Sequence, residues 1–254
     1  MMKQDSESIL LCRDLEEMSR KAAELFVGLL QEAIASRGRF SAALSGGSTP
    51  VPFYSLLAED PFRERVPWSK VHLFWGDERC VPLDHADSNY RRVREVLLDK
   101  IPIPNANVYP IPVGRLDAQT AATLYEKTLR KAFALGKRQT PRFDLMLMGM
   151  GEDGHTASLF PGSTALEETE QLVVANHVEQ LGVDRVTLTA PVINGAANVV
   201  FLISGRAKAK VLREVLEGDY DPNRLPTQLI RPRDGKLLFI TDNPVTEAAV
   251  NPER

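Results

Sequence analysis

Apolar positions along this chain follow two alternating periods. Between residues 15 and 34, Leu15, Met18, Ala22, Leu25, Phe26, Leu29, Leu30, Ala33 and Ile34 recur near the helical period. Asp14 precedes them and Gly38 follows, a start and a stop signal, so a helix is predicted. Phe40–Leu44 reads as a short strand, followed by a glycine-rich turn and a helix over about 51–58. Val71–Trp75 is apolar except for His72, the mark of a buried strand. Helices are predicted over 90–98, capped by Asp87 or Ser88, and over 118–135. An apolar run over 143–148 ends at Gly149. Further strands are predicted at 172–175, 185–189, 199–203 and 237–240, with helices at 207–216 and 245–250.

Strands that alternate with helices predict an α/β protein with a mainly parallel sheet covered on both faces. No repeat or low-complexity linker divides the chain, so one domain over residues 1–254 is expected. Ligands of such sheets sit at the carboxyl ends of the strands, near a switch in strand order. The residues that follow Leu44, Trp75, Met148 and Ile203 are therefore the ones to read for chemistry.

Composition narrows the class. With 43% hydrophobic and 26% charged residues, the chain can bury a substantial core. Its net charge of −3 argues against a nucleic-acid or membrane-surface protein. A small anionic ligand remains compatible, because two or three local cations suffice. Cys12 and Cys80 are far apart and form no CxxC knuckle; no two histidines have metal-ligand spacing. No metal and no cofactor are expected. The first eighteen residues lack a basic start followed by an apolar run, and no apolar run approaches the ~20 residues of a membrane span. A cytoplasmic location is the expectation.

Four loops carry candidate chemistry. Ser45-Gly46-Gly47-Ser48-Thr49-Pro50 offers close backbone approach, two hydroxyls and the start of a helix, which together suit a phosphate. It is also compatible with a plain flexible turn. Gly76-Asp77-Glu78-Arg79 places charges directly behind a buried strand, where they are costly unless paired or used. Arg79 suits phosphate oxygens, and Asp77 or Glu78 is placed to hold it or to act on substrate. Gly149-Met150-Gly151-Glu152-Asp153-Gly154-His155-Thr156 combines three glycines, two acids and a histidine. His155 suits a general base near neutral pH, oriented by Glu152 or Asp153. Lys208, after the Ser204-Gly205 turn, sits where the helix dipole disfavours it, which hints at a ligand. His72 reads as a sheet residue; His85 and His177 read as surface residues.

Together, ALSGGSTP (43–50), FWGDERCVPLDHADSNY (74–90), FDLMLMGMGEDGHTASLFPG (143–162), RVTLTAPVIN (185–194) and SGRAKAKVL (204–212) resemble the 6-phosphogluconolactonases. The resemblance spans nearly the whole chain. It implies a Rossmann-like three-layer α/β/α sandwich, shared with glucosamine-6-phosphate deaminase. It implies hydrolysis of 6-phospho-D-glucono-1,5-lactone in the oxidative pentose phosphate pathway, with His155 as base. It assigns phosphate binding to Gly46, Gly47, Ser48, Thr49, Arg79 and Lys208. The expected partner is thus a phosphorylated sugar lactone, bound by a monomer or weak homo-oligomer. The segment HVEQLGVD lacks a proline and an extra basic residue common there, and Ala197 stands where an arginine is often seen. Two other functions compete: an amino-sugar phosphate isomerase or deaminase using Asp77, and a non-catalytic phosphosugar sensor. The loop Thr156-Ala157-Ser158-Leu159-Phe160-Pro161-Gly162 has no acid, which the deaminases carry there.

Overall fold

The computed structural model describes residues 7–179 and 181–242. A first strand, β1 (Glu7–Cys12), leads into the long helix α1 (Leu15–Arg37). The Asp14 carboxylate accepts from the Glu17 backbone N–H at 2.8 Å, and Gly38 closes the helix at φ 75°. The stripe Met18, Ala22, Phe26, Leu30 and Ala33 is buried. Phe26 meets Phe40 edge to face, with ring centroids 5.1 Å apart. Burying one such ring stabilises by about 1.5–3 kcal/mol, so the periodic stripe fixes which face of α1 meets the sheet.

The chain continues through β2 (Phe40–Leu44), α2 (Val51–Leu57), α3 (Phe62–Arg65), β3 (Val71–Trp75), β4 (Asp77–Arg79) and α4 (Asn89–Val96). Next come β5 (Val108–Tyr109), α5 (Ala118–Ala132), β6 (Leu145–Met148), β7 (Val173–Val178) and β8 (Val183–Leu188). It ends with α6 (Ala190–Asn194), β9 (Asn198–Ile203), α7 (Ala209–Glu217) and β10 (Lys236–Asp242). Seven strands form a parallel sheet in the order β1-β10-β9-β6-β2-β3-β5. Helices cover both sides, which is the three-layer α/β/α architecture that the pattern and the resemblance imply. Every residue of β2 and β6 is buried, which explains their unbroken apolar runs. The chain runs from β2 to β3 on one side and fills the other side later with β6, so strand order switches between β2 and β6. The carboxyl ends of the strands beside that switch carry the predicted loops.

Several elements depart from the pattern. Strand β1 is not predicted, because ESILLC is short and begins polar. The runs at 172–175 and 185–189 are strands, but they lie outside the parallel sheet. They form a second, antiparallel sheet of order β4-β8-β7. Periodicity reports that a strand exists, not which strand it pairs with. The GDER segment is likewise not a loop, since Asp77–Arg79 is the edge strand of that sheet. The helix predicted over 207–216 opens with a 3₁₀ turn, Arg206–Lys208, before α7. The helix predicted over 245–250 lies outside the described residues. Among the described residues no helix is long and apolar enough to cross a membrane.

Candidate active site

A cleft of about 760 Å³ opens at the strand ends, a size suited to a small ligand. Gly46, Gly47, Ser48, Thr49, Asp77, Arg79, Glu152, Asp153, His155 and Lys208 all line it, whereas the candidate Glu78 is not part of its lining. They come together because four successive crossovers return the chain to the same edge of the sheet.

The first loop is clamped at its root. Tyr54, buried on α2, donates its hydroxyl to the Ser45 carbonyl at 2.8 Å and accepts from the Ser45 N–H at 3.2 Å. Gly46 then passes so close to Asn89 that a Cβ there would lie 1.7 Å from Asn89 Oδ1. Only glycine permits that approach. Gly47 adopts φ 85°. Ser48 and Thr49 line the cleft just before Pro50 and α2.

Strand β4 brings its charges in by a different route from the one predicted. Glu78 is buried and accepts from the backbone N–H groups of Arg79, Asn89 and Tyr90 and from the Ser88 hydroxyl. Burial pushes its carboxyl above the ordinary value, against the pull of those N–H donors. Glu78 therefore fastens the start of α4, with both carboxylate oxygens taken up by these donors. Asp77 is buried too, and accepts from Ser158 Oγ at 2.6 Å and from Asn89 Nδ2 at 3.2 Å. Neither acid grips the Arg79 guanidinium. Its Nη1 donates instead to the Asp87 carbonyl and to Asn89 Oδ1, each at 2.7 Å. Asn89 thus ties the arginine to the Gly46 loop.

The third loop resolves which acid serves the histidine. His155 Nδ1 lies 2.6 Å from Asp153 Oδ1. A carboxylate only accepts, so Nδ1 carries the proton and Nε2 is the available basic nitrogen. Burial acts to raise the Asp153 carboxyl, but the His155 hydrogen bond and charge outweigh it and hold it below the ordinary range. Gly151 makes this packing possible, since a Cβ there would lie 2.1 Å from His155 Nδ1. The imidazole stacks on Phe160, with centroids 4.1 Å apart and planes tilted by 22°. Phe160 reaches back under the ring because Ala157 takes the left-handed conformation at φ 48°. That conformation costs an alanine roughly 1–2 kcal/mol. The same turn delivers Ser158 to Asp77, which links the histidine loop to the second sheet.

Glu152 has another neighbour. Burial lowers the pKa of the Lys208 ammonium, and the charges of Glu152 and Asp242 oppose that. Lys208 caps α7 after Gly205, whose N–H donates to Asp242 at 3.3 Å; the Ser204 hydroxyl donates to the same carboxylate.

The remaining histidines sit elsewhere. His72 faces Tyr109 at 3.1 Å, the exposed His85 lies by Asp87, and His177 on β7 pairs with Asp184 at 2.7 Å. Among the described residues, no group of three or more His, Cys, Asp or Glu side chains is placed to hold a metal ion. Sequence reasoning missed Asn89, Ser158, Phe160 and Arg185, three of which line the cleft. A weak signal existed for Arg185, a charge that directly precedes the buried half of its strand, Val186–Leu188. No local signal marks Asn89, whose place depends on α4 meeting the Gly46 loop.

The sequence model of the family described as glucosamine-6-phosphate isomerases/6-phosphogluconolactonase matches residues 13–239. A 6-phosphogluconolactonase of Synechocystis sp. (strain ATCC 27184 / PCC 6803 / Kazusa) is 43% identical over 218 residues, 86% of this chain and 88% of that protein. The solved 6-phosphogluconolactonase from Trypanosoma cruzi superposes with a TM-score of 0.86 at 32% identity, covering 96% of this chain and 97% of that one. A monomeric glucosamine-6-phosphate deaminase, 19% identical with a TM-score of 0.77 over 94% of this chain and 99% of its own, shares the fold. By sequence and by architecture, the chain belongs to the glucosamine-6-phosphate isomerase/6-phosphogluconolactonase family.

Proposed function

We propose that this protein hydrolyses 6-phospho-D-glucono-1,5-lactone to 6-phospho-D-gluconate, with His155 as the general base. One observation carries the reading. A half-buried imidazole with Asp153 on Nδ1 shares a single cleft with a glycine loop, an arginine and a lysine. Its relatives are named 6-phosphogluconolactonases.

The phosphate binds at the Gly46–Thr49 loop with Arg79 and Lys208. Anchoring the dianion away from the reacting carbon holds the lactone carbonyl near His155. Nε2 takes a proton from water as the water oxygen bonds to C1. Backbone N–H groups or a nearby cation stabilise the resulting oxyanion. The imidazolium then returns the proton to the ring oxygen as the C1–O bond breaks. A lactone is an activated ester, so the sequence requires no covalent enzyme intermediate. An isomerase or deaminase would need Asp77 free to shuttle a proton between carbons, but both its oxygens accept hydrogen bonds.

Replacing His155 with Asn tests the assignment. The expected loss of kcat is about 10²–10⁴-fold, measured above the spontaneous opening of the lactone. Retention of most of kcat would remove His155 as the base. Ammonia release from glucosamine 6-phosphate would instead establish the deaminase.

A further inference from the structure

Strands β4 and β8 run antiparallel, and Arg79 is the register partner of Arg185. Like charges directly opposite one another weaken a strand pair. Both arginines nevertheless line the cleft. The Arg185 side chain is only 13% exposed. Its carboxylate neighbour, Asp77, is 4.0 Å away, beyond hydrogen-bond range, and is committed to Ser158 and Asn89. The Nε atoms of Arg79 and Arg185 are both buried without a hydrogen-bond partner among the described residues. Burial lowers the pKa of the Arg185 guanidinium, and Arg79 adds to that; Asp77 and Glu78 compensate only in part. The Arg185 guanidinium lies over Phe160, with Cζ 5.6 Å from the ring centroid, and that ring also carries His155. A desolvated guanidinium set opposite a second one, each with a buried Nε that has no hydrogen-bond partner among the described residues, is arranged in the cleft for an anion that is not part of the chain.

We infer that Arg79 and Arg185 form a guanidinium pair that grips the phosphate of the substrate, with Arg185 as a specificity-determining residue. The inference rests on the lactonase reading for the identity of the anion. A phosphate dianion matches the charge of two guanidinium groups and accepts their paired N–H donors. Arg79 spends Nη1 on Asp87 and Asn89, which fixes it beside the Gly46 loop. Arg185 makes no such hydrogen bond among the described residues, so its fork is free for ligand oxygens.

The test compares Arg185→Gln and Arg185→Lys with the wild type on two substrates, 6-phosphogluconolactone and unphosphorylated glucono-1,5-lactone. Arg185→Gln should raise KM for the phosphorylated lactone by about 10- to 100-fold, with kcat largely kept. On the unphosphorylated lactone, which has no phosphate to lose, the drop in kcat/KM should be far smaller. Arg185→Lys, which keeps the charge but not the fork, should fall between. Calorimetric titration with inorganic phosphate should show weaker binding to Arg185→Gln than to the wild type. The unfolding temperature of the unliganded variant should hold or rise, because the cross-strand repulsion is relieved. Equal losses on both lactones, unchanged phosphate affinity, or a lowered unfolding temperature would overturn the assignment. If the wild type opens neither lactone, the proposed function fails while the phosphate titration still decides the role of Arg185.

Discussion

At the scale of single residues, the two adjacent acids before His155 do different work. Asp153 is held below the ordinary carboxylate range, so it stays ionised throughout the pH range in which an imidazole serves as base. It keeps the Nδ1 proton in place and leaves Nε2 as the basic nitrogen. Asp153→Asn puts an amide that can donate against Nδ1 and favours the wrong tautomer. We expect kcat to fall on the order of 10²–10⁴-fold with KM little changed, read from steady-state kinetics. Glu152 acts on Lys208 instead. Burial draws the Lys208 pKa down, and Glu152 supports the charged form. Glu152→Gln removes that support, so Lys208 loses its proton at a lower pH than in the wild type. The rise of KM on the alkaline side should move to lower pH, with kcat near neutrality kept. A KM–pH profile identical to the wild type would show that Glu152 does not act through Lys208. The sequence exposes His155 through its glycine and threonine neighbours. It leaves Glu152 and Asp153 equivalent, because the turn around Gly154, at φ 79°, decides which one faces the ring.

At the scale of elements, two buried tyrosines hold the ends of neighbouring strands. Tyr54 on α2 bridges the N–H and carbonyl of Ser45, just after β2. Tyr125 on α5 bridges the N–H and carbonyl of Trp75, the last residue of β3, at 2.9 and 3.1 Å. Both sites are where a parallel strand stops and its backbone would otherwise lack partners. Each hydroxyl thus couples a helix on the sheet to a loop of the cleft. Tyr54→Phe keeps the ring and removes the clamp, leaving the half-buried N–H and carbonyl of Ser45 without that partner. The expected cost is about 1–3 kcal/mol by denaturant unfolding. KM should rise as the Gly46 loop loosens. A variant of wild-type stability would mean that other groups satisfy Ser45. The strands themselves were legible to within a few residues, because β2, β3, β6 and β9 are buried runs between turn signals. The antiparallel trio was not, and with it the arginine pair stayed hidden. Arg79 and Arg185 stand 106 positions apart in the chain, and only the β4–β8 register makes them neighbours.

At the scale of the whole molecule, the cleft is a junction. Its residues come from the first loop after β2, from both strands of the β4–β8 pair, from the turn after β6 and from the cap of α7. The parallel sheet supplies the glycine loops and Lys208, and the second sheet supplies Asp77, Arg79 and Arg185. A ligand that spans the cleft therefore binds elements that separate on unfolding and stabilises the native state by mass action. The product, 6-phosphogluconate, lacks the lactone ring but keeps the phosphate. At about 100 times its dissociation constant it should add about 2.7 kcal/mol. For a chain of this size that corresponds to roughly 5–10 °C in unfolding temperature. His155→Asn should keep most of this shift, because a group that acts as the proposed base contributes little to ground-state anchoring. Arg79→Ala should lose most of it, because its guanidinium is tied through Asn89 to the glycine loop proposed to hold the phosphate. Gluconate without phosphate should produce little shift at the same concentration. If gluconate matched its phosphate ester, binding energy would reside in the sugar hydroxyls, and the division of the cleft into an anchoring end and a reacting end would be wrong.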